Sequence, residues 1–211
     1  YKKTITRNLD TQEYNVKGIY GMNGSGKSAI VTSADILRNL LTNPGYLNNP
    51  IVQKNLEELI NKKLGELFIS VDFLVNLNKQ ENSIPVLMRY MVTISQNSNG
   101  KYAISHEKLS CKNACRKSDF MFNVFETQKG DVISVIDEAE NPFLKRFLDK
   151  TTNLLEDNSM CVLFFDKVLM DMAKDETDKD YPILFYQLLS LWIFGKSIHV
   201  YLDQSDDHSD Y

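Results

Sequence analysis

One stretch of eight residues constrains this chain more than any other. Residues 21–28 read Gly-Met-Asn-Gly-Ser-Gly-Lys-Ser, which fits the pattern G-x-x-x-x-G-K-[ST]. Residues 16–20, Val-Lys-Gly-Ile-Tyr, predict a short buried strand before it, and residues 29–41 predict a helix after it. The apolar face expected on that helix consists of Ile30, Ile36, Leu37, Leu40 and Leu41. A strand, a glycine loop and a helix form the context in which this pattern holds a phosphate group.

The residue types in the loop suit a polyphosphate. Glycines let the backbone approach the anion at points where a Cβ atom would collide with it. The loop amides and the positive end of the following helix then face the phosphates. We expect Lys27 to contact the β- and γ-phosphates and the Ser28 hydroxyl to bind Mg²⁺. The predicted phosphate cradle consists of Gly21, Asn23, Gly24, Ser25 and Gly26. The motif therefore predicts binding of ATP or GTP with Mg²⁺.

Composition narrows the class of protein further. Of 211 residues, 43 % are hydrophobic and 25 % are charged, as expected for a globular chain. The net charge is −4 and no basic run occurs, so charge gives no support for DNA binding. No apolar stretch has the length of a membrane span, and three cysteines are an odd number. We therefore expect a cytoplasmic protein with reduced thiols and no membrane association.

The middle of the chain changes its apolar period from 3.6 to 2. Alternating apolar residues predict strands at 68–77, 86–95, 101–109, 120–126 and 132–136. The sequence Asn-Ser-Asn-Gly at 97–100 predicts a tight turn between two of them. A doubly wound domain would alternate strands with helices instead. This run of hairpins predicts an antiparallel β subdomain inserted into an α/β chain.

The remaining segments are mainly helical. Asn49 and Pro50 predict the cap and first turn of a helix at 51–64. Further helices are expected after Pro142 and at 181–194. Residues 160–165 are apolar on every side and fit a strand or a helix. Strands are also predicted at residues 1–8 and 198–202.

A second motif would supply the acids that hydrolysis requires. Residues 133–136 are an apolar strand pattern that ends in Asp137 and Glu138. Asp137 would bind Mg²⁺ and Glu138 would act catalytically on the attacking water, beside Lys27. The alternative is a hairpin strand that ends in two surface acids. The strand follows directly from a hairpin turn, and no helix with a Leu-Ser-Gly-Gly-Gln-like signature precedes it, so the sequence favours the hairpin interpretation while the catalytic one stays open.

Two other patterns are weaker. Residues 78–81, Asn-Lys-Gln-Glu, approach the guanine-reading pattern N-K-x-D but end in Glu, so we favour ATP over GTP. His106, Cys111 and Cys115 are close in sequence, yet they lack a C-x-x-C pair and a fourth ligand. Ordinary thiols are therefore expected there instead of a zinc site.

Residues 19–28, Ile-Tyr-Gly-Met-Asn-Gly-Ser-Gly-Lys-Ser, resemble the Walker A loop of ABC-like ATPase heads. More narrowly, they resemble the loop I-Y-G-x-N-x-S-G-K-S of RloA-like, AAA-type ATP-binding proteins from bacterial restriction and abortive-infection systems. In that family a β meander with a Glu-x-Leu step follows the first helix, and residues 106–109 stand in that place. The resemblance implies two heads that enclose ATP between them. It also implies a C-terminal half with a signature serine, a Walker B strand and a switch histidine, which this chain does not display.

These observations predict an α/β P-loop NTPase fold, with the N-terminal lobe of an ABC-like head. Its expected parts are a nucleotide-binding core at 1–66, the antiparallel β subdomain at 67–136 and a mainly helical segment at 137–211 that continues toward a second lobe. The resemblance implies an ATPase that forms a homodimer or higher homo-oligomer through its heads. Dimerisation and hydrolysis would switch a nuclease or toxin effector in antiphage defence.

Two other classes of function remain open from the sequence. A P-loop small-molecule kinase would need a lid arginine, for which Arg116 or Arg146 is available, but the β meander disfavours it. A scaffold would bind ATP without hydrolysing it. Turnover that depends on an added acceptor indicates the kinase, and its complete absence with the partner present indicates the scaffold.

Overall fold

The computed structural model describes residues 27–75, 85–115, 120–136, 142–168 and 183–200. Five antiparallel strands form one sheet in the order of the sequence, β1-β2-β3-β4-β5. The strands are β1 (Glu66–Val75), β2 (Val86–Gln96), β3 (Tyr102–Asn113), β4 (Phe122–Gln128) and β5 (Asp131–Val135). The predicted antiparallel β meander is thereby confirmed.

In the sequence, two helices precede the five strands and three follow them within the described residues. They are α1 (Lys27–Thr42), α2 (Pro50–Leu59), α3 (Pro142–Thr151), α4 (Met160–Leu163) and α5 (Ile183–Ser197). Short 3₁₀ turns lie at Tyr46–Asn48 and Thr152–Leu154, and a π-helical turn at Phe164–Val168 continues α4. The described part of the chain is thus a mixed α/β structure in which all strand pairs are antiparallel.

The local sequence explains how α2 begins and ends. The Asn49 side chain accepts a hydrogen bond from the Ile51 N–H, and Pro50 occupies the first turn, where no N–H is needed. The helix ends when Ile60 adopts an extended conformation with ψ 123°. Gly65 then turns the chain into β1 with φ +70°, a region that favours glycine.

The core lies on one face of the sheet. Alternate residues of β2 are fully buried there: Met88, Tyr90, Val92 and Ile94. Apolar side chains of the helices join the same buried cluster, including Leu40 and Leu41 of α1 and Leu188 of α5. Aromatic contacts tie α5 to its neighbours, since Phe185 lies 4.4 Å from Phe164 between ring centroids.

Several expectations are corrected by the structure. Ile30 was predicted on the core face of α1, but its side chain is 54 % exposed because the helix is covered only in its C-terminal half. The second helix stops at Leu59, five residues before its predicted end. Residues 160–165 are helical, and residues 198–200 form no strand. β3 extends to Asn113, beyond its predicted end, with a register shift opposite β4.

The fold class is therefore confirmed in its coarser form. The sheet of the described residues is antiparallel, whereas the core sheet of a P-loop NTPase is mainly parallel and does not match it well. The predicted strands 1–8 and 16–20 lie outside the described residues. Within the described ranges, no helix combines the length and apolar character needed to cross a membrane.

Candidate functional site

The described part of helix α1 starts at Lys27, so the last two residues of the octapeptide, Lys27 and Ser28, are helical. The first turn contains no acidic residue, and Ser28 and Ala29 are exposed. The first amide groups of a helix lack intrahelical acceptors, and the helix dipole places partial positive charge there. An exposed helix start without its own acids favours an anion.

Most of the predicted phosphate site lies outside the described residues. This applies to Gly21, Asn23, Gly24, Ser25 and Gly26, and the side chain of Lys27 is not described. The structure places Ser28 in α1, where it is exposed. The phosphate cradle and the contact from Lys27 stay predictions.

The character of α1 changes along its length. Residues 28–32 are all exposed. One turn further on, Ile36 and Leu37 are buried, followed by Leu40 and Leu41. Ser159 fixes this second half, because its hydroxyl donates to the Leu40 carbonyl oxygen at 2.7 Å. The helix is therefore anchored at its C-terminal end and open at the end that carries the motif.

The predicted acids Asp137 and Glu138 also lie outside the described residues. The strand before them is described, and it pairs antiparallel with β4 from Asp131 to Val135. The Ile136 N–H continues this pairing by donating to the Val124 carbonyl oxygen at 2.8 Å. The strand therefore belongs to the antiparallel sheet, as the hairpin interpretation predicts, while the roles of the two acids stay predictions.

No group of three or more His, Cys, Asp or Glu side chains suited to a metal ion occurs within the described ranges. His106 instead lies 2.9 Å from Glu126, measured from Nε2 to Oε1. All three cysteines are free thiols. Of the two lid candidates, Arg146 is exposed on α3 and Arg116 lies outside the described residues.

A buried acid forms a polar site that the sequence analysis did not predict. Glu107 of β3 is fully buried. The Tyr90 hydroxyl donates to Glu107 Oε1 at 2.8 Å, and the Met160 N–H donates to Oε2 at 3.0 Å. The carboxyl group thus connects two strands to the first residue of α4. The preceding residue, Ser159, donates a hydrogen bond to the Leu40 carbonyl oxygen of α1, so the sheet, α1 and α4 meet at this junction.

The environment of Glu107 shifts the pKa values of several side chains. Burial raises the pKa of Glu107 to about 7, and the hydrogen bonds from the Met160 N–H and the Tyr90 hydroxyl oppose that rise. Burial and the nearby Glu107 hold the pKa of Tyr90 and of Cys161 well above their ordinary values. All three side chains are fully buried, so we interpret the cluster as a structural junction and not as a reaction site.

The sequence did contain a signal for this junction. In β3 the residues Glu107 and Leu109 are two positions apart and therefore face the same side of the sheet. Residues 101–109 were predicted as a strand, so the sequence places the acid Glu107 on the same face as the apolar Leu109. A carboxyl group on the core face requires hydrogen-bond donors, which Tyr90 and Met160 supply.

A polar cavity of about 380 Å³ lies at the turn end of the sheet. Both signs of charge line it, and Lys101 forms an ion pair with Asp157 at 2.7 Å across it. Lys129, Asp131 and Glu156 complete the charged lining. Two lysines and three acids give the lining a formal charge of −1, so the cavity does not favour an anion.

Comparison with known proteins identifies no relative: no family model matches this chain, and neither a curated protein nor a solved structure does.

Proposed function

We propose that this chain binds ATP with Mg²⁺ at the start of α1, as the N-terminal lobe of an ABC-like P-loop ATPase. The observation that carries the proposal is that α1 contains the last two residues of the octapeptide, Lys27 and Ser28, with Ser28 exposed. A phosphate loop requires the glycine segment to end at a helix start, where free amides and the dipole meet the anion. The exposed first turn, without acids, also supports it.

The residues have separate roles in this proposal. Backbone groups of the cradle at residues 21–26 surround the phosphates, Lys27 neutralises charge on the β- and γ-phosphates, and the Ser28 hydroxyl binds Mg²⁺. Asp137 completes the metal shell and Glu138 polarises the attacking water. These two acids follow a strand of the antiparallel sheet, so they act only if the chain after Ile136 turns toward α1.

The antiparallel sheet is the inserted β subdomain in this proposal. It shares its buried cluster with the second half of α1, so the nucleotide end of the helix stands on a fixed base. This separation of a rigid base from an open binding end suits a helix that contacts a ligand.

The wider role follows from the resemblance of residues 19–28. We propose that ATP draws two copies of the chain together through their heads, in the cytoplasm. Dimerisation and hydrolysis then switch an effector of the nuclease or toxin class in antiphage defence. The net charge of −4 gives no support for a role of this chain in DNA binding.

Titration calorimetry with ATP and Mg²⁺ tests the proposal. A charge-assisted hydrogen bond contributes about 1.5–3 kcal/mol, so Lys27→Ala should weaken ATP binding at least about tenfold. Ser28→Ala should reduce the gain in affinity that Mg²⁺ provides. Lys54→Ala is the matched control, because Lys54 is an exposed lysine on α2 outside the motif. Unchanged affinity in Lys27→Ala contradicts the proposal.

Two further measurements separate the classes of function. Sedimentation with and without ATP reports whether the nucleotide brings two copies together, as the switch requires. Phosphate release measured with and without candidate acceptors reports a kinase if turnover depends on the acceptor. ATP binding without either response indicates a scaffold.

A further inference from the structure

The segment of residues 156–160 forms hydrogen bonds to β3. The Ile104 N–H donates to the Glu156 carbonyl oxygen at 2.8 Å. At the other end of the segment, the Met160 N–H donates to Glu107 Oε2 at 3.0 Å. This short segment is therefore attached to the strand at both its first and its last residue.

The middle of the same segment bonds to the end of α1. In a longer helix the Leu40 carbonyl oxygen would accept from the residue four positions later, but that residue is Pro44, which has no N–H. The Ser159 hydroxyl donates to this oxygen instead, at 2.7 Å. The Gly45 N–H donates to the Asn158 side-chain oxygen, also at 2.7 Å. The segment thus supplies hydrogen-bond partners to the end of α1 and links it to β3.

Glu107 is the buried ionisable group at the β3 side of the segment. The titratable side chains beside it are Tyr90 of β2 and Cys161 of α4, and burial keeps the pKa of both well above the ordinary value. His106 and Lys108 face the opposite side of the sheet, where both bind an acid of β4. The buried side chains that the structure describes on α1 and α5 carry no ionisable group. A charge on this carboxyl group would therefore lack a neighbouring cation within the described residues.

Ionisation of Glu107 opposes this packing. Burial raises its pKa to about 7, and the donors at Met160 and Tyr90 only partly offset that rise. The charged carboxyl group is therefore more stable in water than in the closed structure, so the closed structure loses stability as the pH rises through about 7. Met160 supplies one of the two donors, so separation of the segment from β3 is a local route by which water reaches the group.

We propose that residues 156–160 form a pH-sensitive latch that holds the end of α1 against β3. The latch is closed while Glu107 carries its proton, and it loosens when the group releases that proton to solvent. Because the two residues that bond to α1 directly precede Met160, loosening at β3 extends to Leu40 and Gly45. The proposal is independent of the nucleotide site, and it describes a local change that precedes unfolding of the sheet.

An amide NMR titration of the 211-residue chain from pH 5 to pH 8 tests the latch. The Met160 and Gly45 signals should shift together with one midpoint near pH 7, and Glu107→Gln should abolish both shifts. Each unit of pKa difference changes the opening equilibrium about tenfold. At pH 8 both amides should therefore exchange with solvent at least about tenfold faster in the unsubstituted chain than in Glu107→Gln. The amides of β2 should exchange more slowly than either, because the sheet stays paired.

Substitutions in the segment distinguish the latch from a direct field effect of the charge. Asn158→Ala combined with Ser159→Ala removes both bonds to α1, so the Met160 signal should still titrate while the Gly45 signal should not. Ser190→Ala is the matched control, because that buried hydroxyl donates within α5, and both signals should titrate as before. If the double variant does not fold, Asn158→Ala alone takes its place. A Gly45 signal that does not titrate in the unsubstituted chain, or that still titrates after these substitutions, overturns the proposal.

Discussion

The two ends of helix α1 differ in their burial. At the C-terminal end, Leu40 and Leu41 are fully surrounded, and the Ser159 hydroxyl binds the Leu40 carbonyl oxygen. At the N-terminal end, residues 28–32 are exposed and carry the last residue of the octapeptide. One helix thus packs into the core at one end and is exposed at the other.

In the proposed function, this difference keeps the binding end of α1 accessible. A phosphate site needs exposed donors and gains little from apolar packing, so the stability of the helix must come from elsewhere. Here the second half of α1 supplies it through the shared core. Substitutions in the two halves should accordingly separate stability from ligand binding.

The largest effect is expected from substitution of an isoleucine in the buried half of α1, compared with an isoleucine in its exposed half. Ile36 is 4 % exposed and Ile30 is 54 % exposed, on the same helix. Ile36→Ala should lower the free energy of unfolding by about 2–5 kcal/mol, because it leaves a cavity. Ile30→Ala should change it by less than about 1 kcal/mol. Urea denaturation measures both, and equal losses would remove the distinction between the two ends.

The buried Glu107 should make stability depend on pH. Its folded pKa of about 7 exceeds the ordinary carboxyl value of 4.5, so the folded protein holds a proton that the unfolded chain releases. The stability that this bound proton contributes is fully present below pH 4.5 and is lost as the pH rises through about 7. Since one pKa unit corresponds to 1.36 kcal/mol, the loss is about 3 kcal/mol. Denaturation between pH 5 and pH 8 should show the decline.

Two variants test the source of that decline. Glu107→Gln cannot ionise, so its stability should lack the decrease between about pH 5 and pH 8. Glu126→Gln is the control, because hydrogen bonds from Lys108 and His106 hold the pKa of Glu126 below its ordinary value.

Because Glu126 also pairs with His106, a second control is Asp72→Asn, in which the lost partner is the Arg89 guanidinium that stays charged throughout this pH range. Removal of the Asp72 carboxylate should leave the decline unchanged. A decline that survives in Glu107→Gln contradicts the assignment.

A smaller effect is expected where α5 crosses the anchored end of α1. A Cβ atom on Gly195 would lie 2.8 Å from Leu41 Cβ, so the two helices must separate slightly to admit it. Gly195→Ala should therefore lower the free energy of unfolding by about 1–3 kcal/mol. Ser197→Ala, at an exposed position two residues later, should change it by less than about 0.5 kcal/mol. If ATP affinity also falls in Gly195→Ala, the two ends of α1 are coupled.

The sheet was predictable because its side chains alternate. Ile69, Val71 and Phe73 face one side in turn, and the turn residues at 97–100 mark a hairpin. The start of α2 was predictable for a local reason, because Asn49 and Pro50 act within one turn. In each of these cases a short stretch of sequence determines the structure.

Other features depend on contacts that are distant in sequence. Residues 160–165 are apolar on every side, so their periodicity does not distinguish a helix from a strand. The structure shows a helix that packs into the same buried cluster as α5. The exposure of Ile30 depends on which elements cover α1, which spacing alone does not reveal. Glu107 binds a tyrosine 17 positions before it and an amide 53 positions after it. The motif predicts the chemistry of the helix start, and the cradle at 21–26 stays a prediction.

The most direct test is an amide NMR titration of the chain with ATP and Mg²⁺. The account predicts that the largest shifts occur at the amides of Ser28 and Ala29, and that those of Leu40 and Leu41 move little. Lys27→Ala should abolish the shifts at Ser28. Binding that leaves Ser28 and Ala29 unshifted, or that shifts them equally in Lys27→Ala, would contradict a phosphate site at the start of α1.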